Sequence, residues 1–125
     1  MSLLQTKKDF EQYFLDNYNE TAVHWAGMKF DTTTVDEWIY FEYAGRQVGD
    51  CGYDNTQYVS SGFLNITIVA LNRYRTHEIA DIVLDVFKGA KVGDSTVHSV
   101  NISATGTIED IDKSYIDLNI QIKMI

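Results

Sequence analysis

The chain of 125 residues contains no proline. The rigid, extended spacers that mark a hinged linker are therefore missing, and nothing divides the sequence into two units. Its single cysteine, Cys51, excludes an internal disulfide and fits a reducing compartment. Basic residues are scarce as well: ten Lys and Arg against eighteen Asp and Glu leave a formal charge of −8. That balance works against nonspecific attraction to a phosphate backbone or an anionic bilayer. Lys7, Lys8, Arg73, Arg75, Lys88 and Lys91 are spread among acids and form no patch. Long apolar runs are also lacking. The uncharged stretch Asn55 to Asn72 is rich in Ser, Thr, Asn and Gln, far from the roughly 20 apolar residues that a bilayer-crossing helix needs. The first residues carry no apolar run of the signal-peptide kind, so the expectation is a protein made and kept in the cytoplasm.

What is present is an ordinary globular composition, 45% hydrophobic and 22% charged. The length suits one domain spanning 1–125, which can bury about two thirds of its unfolded surface without disulfides or metal. Residues 3 to 18 place Leu3, Phe10, Phe14 and Tyr18 on one face at helical spacing, with Ser2 as the expected cap. A second helix is predicted from Thr76, as N-cap, to Lys88. There Ile79, Ile82, Val83, Val86 and Phe87 recur at helical spacing, and Gly89 follows as the stop.

Strand patterns lie around these helices. Glu37 to Tyr43 is aromatic-rich, and Gly62 to Leu71 sets Leu64, Ile66, Ile68 and Ala70 on one face. Tyr115 to Met124 alternates Ile116, Leu118, Ile120, Ile122 and Met124 with polar residues, which predicts one buried and one solvated or partner-facing side. Two weaker strands are expected at Val23 to Phe30 and Val97 to Ala104. Gly45 to Ser61 and Thr105 to Ser114 read as long polar connections. The expected fold is α+β, a mixed or antiparallel sheet of about four to five strands with two main helices packed on one side.

Chemical motifs are sparse. His77 and Asp81 stand four apart beside Glu78 and could share a metal, but further ligands have no sequence signal, and acids suit a helix N-terminus in any case. Cys51 with His24, His77 or His98 lacks an orienting acid at a recognisable spacing. Asp36 with Glu37, and Glu109 with Asp110 and Asp112, adjoin strands and loops where solvated charge is the default. Neither Gly45 to Gly52 nor Gly89 to Gly93 has the spacing of a phosphate loop. The expectation is no catalytic residue, no cofactor and no metal. Eight Tyr, six Phe and two Trp without accompanying positive charge do not suit base stacking. Trp38, Tyr40, Tyr53 and Tyr58 read as core residues or as anchors of a protein interface, where Tyr and Trp concentrate binding energy.

Three segments carry a family resemblance. They are VHWAGMKF (Val23 to Phe30) followed by DEWIYFEY (Asp36 to Tyr43), SGFLNITIVALNRYRTHEIADIVLDVF (Ser61 to Phe87), and YIDLNIQIKMI (Tyr115 to Ile125). Together they resemble the small tail terminator and tail-completion proteins of long-tailed phages, over most of the chain. Asn72 to Arg75 departs from the glycine that the family often has between strand and helix. The resemblance implies a subunit that forms a ring, usually hexameric, stops growth of the tail tube and offers a surface to head-completion proteins. It implies location in the virion tail, with assembly in the cytoplasm of a bacterial host, and no catalytic residues. The competing reading is a small cytoplasmic ligand-binding or regulatory domain with its pocket between sheet and helices.

Overall fold

The computed structural model describes residues 3–31, 35–48, 60–93 and 95–124. Helix α1 (Leu3–Asn17) leads into strand β1 (Ala22–Trp25), followed by β2 (Trp38–Val48) and β3 (Ser60–Ala70). Helix α2 (Arg73–Phe87), β4 (Lys91–Val92), β5 (Ser95–Ile108), a 3-10 turn at Glu109–Ile111 and β6 (Lys113–Met124) complete the chain. The strands form one six-stranded sheet in the order β1-β2-β3-β6-β5-β4. β1 runs parallel to β2 and every other pair is antiparallel, so the sheet is mixed.

Both helices cover the same face. Phe10, Phe14 and Tyr18 from α1 and Ile79, Val83 and Phe87 from α2 meet the inward residues of the three central strands, all buried in one cluster. On β6 the inward set is Ile116, Leu118, Ile120 and Ile122, the alternation expected from the sequence. Phe14 lies at the centre, stacked on Tyr18, Phe41 and Phe87 with ring centroids 4.7, 5.0 and 5.7 Å away. The helices are also tied to each other, because the Tyr13 hydroxyl donates to the Val86 carbonyl at 2.7 Å.

Several expectations are corrected. The sheet has six strands instead of four to five, since the two-residue β4 is too short to show any periodicity. Helix α2 starts one turn earlier than expected: Asn72 is the N-cap, its side chain accepting from the Arg75 N–H at 2.8 Å, while Thr76 is buried within the first turn. Its end is as expected, with Gly89 in the left-handed region at φ 66°.

The two polar connections are shorter than their composition suggested. β2 and β3 stay paired out to Val48 and Ser60, so the strands take both ends of the Gly45 to Ser61 stretch. Thr105 to Ile108 extends β5 against Lys113 to Ile116, and the reversal is confined to the 3-10 turn and Asp112, whose φ is 53°. Gly106 is needed within this pairing, because a Cβ there would sit 2.9 Å from the Tyr115 ring. The expected Ser2 cap lies outside the described residues.

Candidate functional site

Opposite the helices, the sheet presents a second face with different chemistry. Trp38, Tyr40 and Glu42 of β2 alternate with the inward Ile39 and Phe41. Across β3 and β6 this face carries side chains that satisfy one another. The Thr67 hydroxyl donates to Asp117 at 2.6 Å, and Asn119 donates to Asn65 at 2.9 Å. The Ser99 hydroxyl extends the set by donating to Gln121 at 3.3 Å. Each pair joins residues directly opposite in the register, so these bonds fix the alignment of three strands.

At the β1–β2 end the face turns aromatic. The His24 ring stacks on Phe30 at 5.1 Å and meets Tyr40 edge-on at 4.9 Å. Phe30 reaches Trp38 at 6.5 Å, and the Lys113 ammonium lies 5.8 Å from the Trp38 ring while donating to the Asp36 carbonyl. Trp38 is 7% exposed, held by this local box and outside the main core cluster. Tyr40 is half-buried and donates to Glu42 at 3.0 Å, a bond that holds its hydroxyl proton and raises its pKa. Of the four aromatic residues proposed as interface anchors, Trp38 and Tyr40 thus stand together on one face, and Tyr53 and Tyr58 lie outside the described residues.

Arg75 organises the end of the sheet where α2 begins. Its guanidinium grips Glu37 with two bonds, at 2.9 and 2.8 Å, and also reaches Glu78 and, at 3.3 Å, Glu20. One cation thereby ties α2 to the segments before β1 and β2. The paired guanidinium bond holds the Glu37 carboxyl below the usual glutamate range, against the opposing effect of its partial burial. The same carboxylates push Arg75 further toward its charged form. Nearby, burial drives the Tyr18 hydroxyl up to about 12.

The residues weighed for chemistry do not converge. His77 is exposed and its Nδ1 lies 2.8 Å from the Arg73 carbonyl; Glu78 belongs to the Arg75 cluster, and Asp81, one turn beyond His77, is exposed beside the α2–β5 groove. His24 serves the aromatic corner, and its Nε2 lies 3.0 Å from the Met28 carbonyl. Among the described residues, no group of three or more His, Cys, Asp or Glu is placed to hold a metal ion. Cys51 lies outside those residues. Among them, too, no helix is long and apolar enough to cross a membrane.

The Arg75 cluster carries little sequence signal. Glu78 stands three residues along the same helix, but Glu37 and Glu20 are 38 and 55 residues away and only the fold brings them in. Two grooves were equally hidden. One, of about 620 Å³, runs between α2 and β5 over Leu84, Val97 and Val100. The other, of about 380 Å³, runs between α1 and β1 beside Leu15, Trp25 and Met28. Compared with the models of known protein families and with curated protein sequences, the chain matches none.

Proposed function

We propose that this chain is a structural tail protein of a long-tailed phage or prophage: a ring-forming tail terminator or head-tail joining subunit that caps the tail tube. The observation that carries the reading is where surface is left for contact. The space between sheet and helices is filled by Phe10, Phe14, Phe41 and Phe87, all fully buried. What remains open is the second face of the sheet, its aromatic corner and its edges, which are surfaces for other proteins more than cavities for small molecules. The resemblance of the three segments supplies the kind of assembly.

In this reading the partners are further copies of the chain, as a ring that is hexameric in the family, together with the tail tube and head-completion proteins. Tyr40 is the anchor on the partner-facing side, backed by the buried Trp38, with Tyr53 and Tyr58 as further candidates. The protein acts in the virion tail, is assembled in the host cytoplasm, and performs no catalysis. Its formal charge of −8 suits a component past which DNA must move without sticking.

The test is removal of the gene from a phage or prophage that carries it, with the tails viewed by negative-stain electron microscopy. Tubes of uncontrolled length or tails without heads are expected, and purified protein added to the extract should restore joined particles. Tails of normal length and full infectivity without the gene would rule the reading out. The competing ligand-binding reading keeps the two grooves at the sheet edges, because those four phenylalanines fill the centre between sheet and helices.

A further inference from the structure

We propose that the pocket between the first turn of α2 and the adjoining ends of β5 and β6 binds a phosphate group, carried by inorganic phosphate or by a small phosphate monoester. The inference adds a ligand to the assembly reading above and does not rest on it.

The pocket forms where the helix-facing side of the sheet changes character. Along β6 that side is aliphatic from Ile116 to Ile122, and at the next position outward it becomes Ser114. The register sets Thr105 opposite Ile116 and Thr107 opposite Ser114, so the hydroxyls of two threonines and a serine gather at this end of the sheet and line the pocket. None of the three hydroxyls bonds to a protein partner among the described residues. From the helix side, Arg73 and His77 line the same pocket. The Arg73 carbonyl accepts from the Thr76 hydroxyl at 2.7 Å and from His77 Nδ1 at 2.8 Å. Those two bonds hold the turn and leave His77 Nε2 as the free ring nitrogen.

Charge points to an anion. Arg75 is gripped by three glutamates, whereas Arg73, two residues earlier in a chain of eighteen acids and ten bases, makes no ion pair among the described residues. No Asp or Glu lines the pocket. The carboxylates close to it in sequence are engaged or placed elsewhere. Glu78 pairs with Arg75, Asp81 lines the groove over Val97 and Val100, and Asp117 accepts from Thr67 on the opposite face. Glu109 and Asp112 belong to the reversal beyond Thr107 and are not part of the lining.

Size and donor arrangement narrow the anion to phosphate. The pocket, of about 240 Å³, is smaller than the roughly 300 to 1,000 Å³ of a site for a drug-sized molecule. A guanidinium fork approaches from the helix and rotatable hydroxyls from the sheet, so a tetrahedral anion with oxygens directed both ways is served on both sides. A carboxylate, with two oxygens in one plane, would take the fork and leave the hydroxyls to water. The N–H groups of the helix end are not required, and Asn72 already caps that of Arg75.

The test is a titration of the isotope-labelled full chain, in phosphate-free buffer at constant ionic strength, followed by amide chemical shifts. Inorganic phosphate should give saturable shifts at Arg73 to His77, Thr105 to Thr107 and Ser114, and acetate should not. Glycerol phosphate is the second arm: the same shifts with both ligands assign the site to the phosphate group itself, and shifts with one alone name its source. Arg73→Gln, at an exposed position, should weaken binding about tenfold, while Lys88→Gln, in the other α2 groove, should leave it unchanged. Thr105→Val combined with Thr107→Val should weaken it severalfold. The amide spectrum of each variant reports whether its fold is kept. No saturable shift with either phosphate, an equal response to acetate, or undiminished binding by Arg73→Gln would overturn the site.

Discussion

The two faces of the sheet use one alternating pattern for different ends. On β3 and β6 the inward residues are all aliphatic and lie under two helices. Their immediate neighbours Asn65, Thr67, Asp117 and Asn119 pair with each other on the opposite face. The inward face derives its stability from area removed from water, which is large and insensitive to exact partners. The outward face contributes less, through bonds that water can replace, but it fixes the register and leaves a patterned surface free for contact. Stability and recognition are thus separable in this fold.

The largest effect is expected from the inward face. Phe87 is fully buried and stacked on Phe14, so Phe87→Ala should cost about 3 to 5 kcal/mol in a denaturant titration. A loss below about 1 kcal/mol, the scale of surface substitutions, would mean that α2 does not hold the core.

Next comes the Arg75 cluster, which belongs to neither face. Arg75→Ala leaves Glu20, Glu37 and Glu78 together without their cation and should cost about 2 kcal/mol at low salt, less at high salt. Because Glu37 has a depressed value in the folded state, its contribution is fully present above about pH 5 and fades as pH falls through that depressed value. Acid titration of stability should therefore be steeper for the parent protein than for Arg75→Ala over that range. Superimposable profiles would show that the cluster is not an energetic clamp.

On the outward face, Thr67→Val removes the donor to a half-buried Asp117 and should cost about 1 to 2 kcal/mol, well short of the Phe87 effect. A loss equal to that of Phe87→Ala would erase the distinction between the faces. The smallest effect expected is none: chelator treatment and Cys51→Ser should leave the unfolding curve and assembly unchanged. Unfolding by chelator would reveal a structural metal.

The legible parts of the sequence were those in which local pattern and burial coincide. Alternation in β6 and helical spacing at Ile79, Val83 and Phe87 identify residues that are buried. Polar edges were not legible by the same reasoning. Thr105 to Ile108 looks like a loop because an edge strand need bury neither side, and β4 is two residues long. Thr76 carries the usual sign of an N-cap, a Ser or Thr before an apolar run, whereas Asn72 four residues earlier makes the bond. For the site, Trp38 and Tyr40 were visible as aromatic residues in a strand. Their association with His24 and Phe30 depends on the parallel β1–β2 pair, and the Arg75 cluster on contacts across the whole fold.

The separation of fold from contact is tested most directly by amide hydrogen exchange on the dilute subunit and on its assembled form. The account predicts that amides of Ile116 to Ile122 in β6, bonded on both sides, are slow in both states. Those β5 amides between Ser99 and Thr107 that are not bonded to β6 should exchange fast when dilute and slow on assembly. Equal exchange at these β5 amides in both states, with assembly established by mass, would contradict the account and place the contact on another surface.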